Sequence, residues 1–143
     1  MKQFNVINFL INHYNELGST QNEAKKLIDS GDMIPNKAIS SDMQYGGRGR
    51  YDRVWNSDVG NLAISYCLQE EFQNSELICY VSVISLHEVL VELGIKNAKL
   101  KWVNDILVDK KKISGILLES YKGFLICGVG CNIFNFENMK ALN

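Results

Sequence analysis

The stretch from residue 99 to residue 131 most constrains the fold. It holds four short apolar segments, at 99–102, 106–108, 113–119 and 124–131, separated by gaps too short for a crossover helix. Strands joined through tight turns pair antiparallel, because a parallel pair needs a connection of a dozen residues or more. Asp109, Lys110, Lys111 and Lys112 read as one solvated hairpin turn, and Tyr121, Lys122 and Gly123 as the next.

Upstream the periodicity changes. Thr20 followed three residues later by Glu23 is a capping box, Ala24, Leu27 and Ile28 form a helical stripe, and Gly31 ends it. Residues 75–93 carry a second helical pattern through Leu77, Val81, Ile84 and Val91, stopped by Gly94. Residues 37–43 and 62–68 read as strands, and residues 4–11 as an opening strand or a short helix. The class that follows is α+β, with a mixed, mainly antiparallel sheet and the helices packed on one face. At 143 residues, the chain is expected to form one domain over 1–143.

Composition removes several functions. The net charge is −1, so a broad nucleic-acid footprint is not indicated, which leaves room for a local basic site. Of the four cysteines, Cys67, Cys79, Cys127 and Cys131, none forms a CxxC pair and no His stands near Cys127 and Cys131 to complete a zinc site. They are expected to be buried free thiols in a reducing cytoplasm. The N-terminus lacks the apolar core and cleavage site of a signal peptide, and no apolar run is long enough to span a bilayer. A cytoplasmic location is expected.

Chemistry concentrates in the polar, Gly-rich stretch 44–61, a loop of a length that is usually functional. Gln44 and Tyr45 lead into Gly46-Gly47-Arg48-Gly49-Arg50-Tyr51-Asp52-Arg53-Val54-Trp55. Glycines let the backbone approach a ligand, arginines offer bidentate donors to carboxylate and phosphate, and a Trp can cover a flat ring. The plain alternative is a solvated basic loop or an RNA-binding segment. Lys101-Trp102-Val103-Asn104-Asp105 places a Lys at a strand end beside Asn and Asp, which suits an anion, or equally an exposed turn. Gly115 inside a strand marks a close approach or a bulge. Gly128-Val129-Gly130-Cys131-Asn132 closes the last strand. His13 and His87 stand alone and receive no role.

In this order the stretches resemble the biotin protein ligases over about residues 19–132. The family's Ser-Thr pair is matched by Ser19 and Thr20, and its Gln before a GRGRxGRxW loop by Gln44, Gly47, Arg48, Gly49, Arg50, Arg53 and Trp55. Its Ser-x-x-Gly-Asn-Leu run is matched by Ser57, Gly60, Asn61 and Leu62, and KWPND by Lys101, Trp102, Asn104 and Asp105. KKIxGILxE is matched by residues 111–119, and GxGxN by Gly128, Gly130 and Asn132.

The resemblance implies the fold of the class II synthetases and biotin ligases. It also implies an ATP- and magnesium-dependent enzyme that forms biotinyl-5′-AMP and biotinylates a lysine of a biotin carboxyl carrier protein. By similarity, Ser19, Thr20 and Gln44 hold the biotin ureido ring with the Gly115 strand, and Gly47 and Gly49 shape the loop around biotin. Arg48 closes over biotin and adenylate. Arg50 and Lys101 hold the biotin carboxylate and the α-phosphate, and are the catalytic pair. Arg53 meets the ATP phosphates, Trp55 and Asn132 lie near the adenine, and Asn104 joins the nucleotide site. Asp105 is a candidate for orienting Lys101 or a magnesium ion. The resemblance allows a homodimer and implies neither specific DNA nor membrane binding.

The chain departs from the family at several points. Asp52 replaces a usual Gly, where its carboxylate is expected to pair with Arg50 or Arg53. Val103 replaces Pro, and Gln21 stands where Asn is common. Eighteen residues precede Ser19, so no helix-turn-helix domain is expected, and eleven follow Asn132, so no C-terminal β-barrel domain is expected. The rival readings are a lipoyl or octanoyl transferase of the same fold, a module that binds biotin or its adenylate without transferring it, and an RNA-binding module.

Overall fold

A computed structural model describes residues 1–6, 9–69 and 75–133. Eight strands form one sheet: β1 (Lys2–Val6), β2 (Phe9–Leu17), β3 (Lys37–Gln44), β4 (Leu62–Gln69), β5 (Lys99–Lys101), β6 (Asp105–Val108), β7 (Lys111–Tyr121) and β8 (Phe124–Cys131). Their order is β1-β2-β3-β4-β8-β7-β6-β5. β2 and β3 run parallel, joined through helix α1 (Thr20–Asp29), and every other neighbouring pair is antiparallel. The mixed, mainly antiparallel sheet expected from the short turns is therefore present. The segment read as one opening element over 4–11 contains the end of β1 and the start of β2, with residues 7 and 8 outside the described residues.

The helices pack on opposite faces, which corrects the expectation of a single face. Side chains alternate along a strand, so Ser65, Cys67, Ile126 and Gly128 look one way and Tyr66, Cys127, Val129 and Cys131 the other. α1 covers the first face, where Ala24 packs with Ile39, Cys67 and Ile126. The longer helix α2 (Glu76–Glu92) covers the second, where Val83 and Leu90 pack with Ile106, Ile116, Cys127 and Cys131. The reason stands in β4 and β8, whose apolar residues run almost without interruption, the mark of strands buried on both faces.

The helix boundaries hold within a residue or two. The cap of α1 is Ser19, one position before the expected Thr20, and its hydroxyl accepts from the Asn22 backbone N–H at 3.4 Å. Glu23 turns away from the cap, toward Tyr14 at 3.4 Å and Lys26 at 3.2 Å. Gly31 and Gly94 follow the two helices at φ 78° and 95°, as helix stops require. Cys67, Cys127 and Cys131 are buried free thiols, as expected, and Cys79 is partly exposed. No helix among the described residues is long and apolar enough to cross a membrane.

Candidate active site

On the α1 face, the sheet is paved with glycine. Gly115 and Gly130 are direct partners across β7 and β8, and Gly128 lies two residues from Gly130. The floor and its surrounding loops enclose a cavity of about 450 Å³, within the size range of small-molecule sites. Its walls are the N-terminus of α1, residues 48–51 and 53–55, and the β5–β6 turn carrying Lys101, Asn104 and Asp105.

The stretch expected as a loop is a small folded arm. Tyr45 and Gly46 N–H groups donate to the Leu17 and Gly18 carbonyls at 3.1 and 2.7 Å. Gln44 bridges Ser57, Arg48 bridges Val54, and a tight turn over Arg50–Asp52, in which the Arg53 N–H donates to the Arg50 carbonyl at 3.4 Å, forms the tip. Tyr51 and Asp52 both take left-handed backbone, at φ 57° and 53°. Asp52 thus stands where glycine is the easiest residue. Its carboxylate pairs with Arg48 at 3.5 Å, not with Arg50 or Arg53 as expected.

One end of the cavity is polar and buried. The Thr20 backbone N–H donates to Gln44 Oε1 at 2.7 Å, and the Thr20 hydroxyl reaches the same atom at 3.1 Å. Ser65 Oγ donates to Gln21 Oε1 at 2.8 Å and lies 2.8 Å from Thr20 Oγ1. Both amides are fixed by the main chain, because Gln21 Nε2 donates to the Ile126 carbonyl at 3.2 Å. The two hydroxyls thus have two protons for three contacts. The cluster carries more acceptors than donors, and its open capacity suits an incoming N–H.

The other end is cationic. Arg50 Nη1 donates to Asn104 Oδ1 at 3.3 Å, and Asn104 is held by its Nδ2 donating to the Ile116 carbonyl at 2.7 Å. Arg53 and Lys101 line the cavity with no ion pair among the described residues. Trp55 lies flat on the floor: a Cβ added at Gly130 would come within 2.5 Å of its indole, and Lys112 Nζ stands 5.5 Å from the ring centroid.

Most of the residues singled out from the sequence meet here: Ser19, Thr20, Gln44, Arg48, Gly49, Arg50, Arg53, Trp55, Lys101, Asn104, Asp105 and Gly115. Two do not line the cavity. Gly47 is buried within the arm, where a Cβ would strike the Trp55 carbonyl, and Asn132 directly follows β8 with its backbone N–H on the Ile113 carbonyl at 2.7 Å. Asp105 is held by Lys112 at 2.7 Å. No three His, Cys, Asp or Glu side chains come together among the described residues, so the donor set does not fit a metal held by the protein alone.

Sequence reasoning missed Lys112, Gln21 and Ser65. A bulge at Ile106/Leu107 shifts the register, which turns Lys112 onto the cavity face instead of leaving it in a solvated turn. Alternation along β4 was the available signal for Ser65.

The pattern of the Biotin/lipoate A/B protein ligase family matches residues 16–133. The chain belongs to this family. Biotin--protein ligase 2 of Arabidopsis thaliana is 37% identical over 114 residues, which are 72% of this chain and 35% of that protein. The biotin protein ligase from Aquifex aeolicus in complex with biotin and ATP superposes with a TM-score of 0.76 at 35% identity, over 85% of this chain and 51% of that one. A T. acidophilum protein with bound lipoic acid shares the fold alone, with a TM-score of 0.59 at 15% identity. The chain thus spans about a third of the curated relative's length and half of the Aquifex structure.

Proposed function

We propose that the chain activates biotin with ATP as biotinyl-5′-AMP and passes the biotinyl group to a lysine of a biotin carboxyl carrier protein. The acceptor-rich cluster of Thr20, Gln21, Gln44 and Ser65 carries this reading. A ureido ring brings two N–H donors that such a cluster can receive, whereas a dithiolane ring brings none.

In the first step the biotin carboxylate oxygen attacks the α-phosphorus and pyrophosphate leaves. Two like charges about 4 Å apart repel by roughly 4 kcal/mol at an effective dielectric near 20. Arg50 and Lys101 offset this repulsion and stabilise the charge on the five-coordinate phosphorus. Asn104 fixes the direction of Arg50. Arg53 meets the outer phosphates, and magnesium arrives with ATP as part of the substrate. Trp55 covers the adenine, and Asn132 acts from the end of β8, behind the cavity wall. No general base is needed, because the attacking carboxylate is ionised at neutral pH. In the second step the carrier lysine, as the free amine, attacks the mixed anhydride carbonyl and AMP departs.

The rival reading is a lipoyl or octanoyl transferase, favoured by the shared fold. Calorimetric titration of the chain with biotin and with lipoate separates the two. Biotin is expected to bind, and excess lipoate not to displace it. Tighter binding of lipoate contradicts the assignment of the polar cluster.

A further inference from the structure

The cations around the cavity fall into two groups. Arg50, Arg53 and Lys101 make no ion pair among the described residues. Arg48 is tied on three sides. Its Nη2 donates to Asn22 Oδ1 of α1 at 2.9 Å and lies 3.6 Å from Glu119 Oε1 of β7, and its Nη1 lies 3.5 Å from Asp52. Glu119 is itself pinned, with Lys25 Nζ at 2.8 Å from the same Oε1.

Two buried atoms in this cluster make no hydrogen bond: Arg48 Nε and Glu119 Oε2. One is a donor and the other an acceptor. A guanidinium meets a carboxylate through two parallel N–H···O bonds. A small closing movement of the arm would place Arg48 Nε–H on Oε2 and tighten the Nη2 contact to Oε1. Both orphaned atoms would then be satisfied by the same event.

We infer that Glu119 is a positioning residue that latches the arm of residues 44–55 shut over the cavity, through a two-bond pair with Arg48 that is half formed here and completes on closure. The inference deepens the function proposed above and rests on it for the identity of the enclosed ligand. Arg48 then acts mainly through the arm, and contact with the reacting anions falls to Arg50, Arg53 and Lys101.

Trypsin tests this directly, because the arm presents Arg50 and Arg53 at its tip. Cleavage after these residues, with cleavage after Lys122 as the reference, reports how often the arm opens. Glu119→Gln keeps the size of the side chain and removes its charge. It is expected to speed arm cleavage about tenfold relative to the reference. Arg48→Gln should do the same, and the double variant should be no faster than either single. Wild-type cleavage in Arg48→Gln, or effects that multiply in the double variant, would overturn the latch. Arg48→Gln alone decides the matter should Glu119→Gln fail to fold. With biotin added, the wild-type arm should be protected, and biotin should leave Glu119→Gln about tenfold faster, with a smaller change in the rate of adenylate formation at saturation. If biotin protects no form of the protein, the proposed function falls, while the ligand-free comparison still judges the latch.

Discussion

Gly115 and Gly130 face one another across two strands, yet they differ in what they tolerate. At Gly115 a Cβ would meet the end of the Lys112 side chain at 3.0 Å, and that end can move. At Gly130 it would come within 2.5 Å of the Trp55 indole, a rigid ring. Gly130→Ala is therefore expected to cost about 1–3 kcal/mol and to lift Trp55 from the floor. Thermal unfolding and a red-shifted indole emission would show both, and Gly115→Ala should give the smaller change. Lys101→Ala and Arg50→Ala should each slow adenylate formation by about 10²- to 10³-fold, the scale of one lost preorganised donor. Single-turnover rates that match wild type would remove both residues from the first step. The thiols are expected to be inert in the folded chain. Burial pushes Cys67 up to about 12 and Cys131 to about 11. At pH 8 Cys67 would be thiolate in only about one molecule in ten thousand. Iodoacetamide should reach the partly exposed Cys79 first, and early labelling of Cys67 would contradict the packing of β4 under α1.

The elements were legible to different degrees, for physical reasons. Both helices could be read because their apolar spacing and glycine stops are local signals. Their placement on opposite faces was written in the nearly continuous apolar runs of β4 and β8, which alternation alone does not capture. The cap of α1 fell to Ser19 over Thr20 because the Thr20 hydroxyl is engaged by Gln44 and Ser65. At 3.4 Å the Ser19 bond is long, so Ser19→Ala should cost only about 0.5–1 kcal/mol, measurable by denaturant unfolding. The arginine arm could be recognised from its motif, but its internal bridges and the ties from Arg48 to Asn22 and Glu119 depend on residues distant in sequence. The bulge that turns Lys112 inward leaves no mark in the residue types around it.

Across the whole molecule, the sheet joins an acceptor-rich end to a cationic end through a glycine floor, which matches a ligand that is polar at its head and anionic at its tail. The latch adds a pH dependence of known sign. Burial raises the Glu119 carboxyl, but the hydrogen bond and charge of Lys25, with the charge of Arg48, outweigh it and hold the group below its ordinary 4.5. A lowered folded value means the stabilisation is present above the unfolded value and is lost as pH falls through the folded one. The stability difference between wild type and Glu119→Gln should therefore stay flat from pH 8 to about pH 5 and shrink below the ordinary carboxylate range. A difference that grows on acidification would contradict the charge assignment. The proposed chemistry is tested most directly by incubating the purified chain with biotin, ATP and magnesium and looking for biotinyl-AMP by mass spectrometry. The adenylate is expected to form, and to form about 10²- to 10³-fold more slowly in Lys101→Ala. Biotin bound without any adenylate in the wild-type chain would contradict the proposed chemistry.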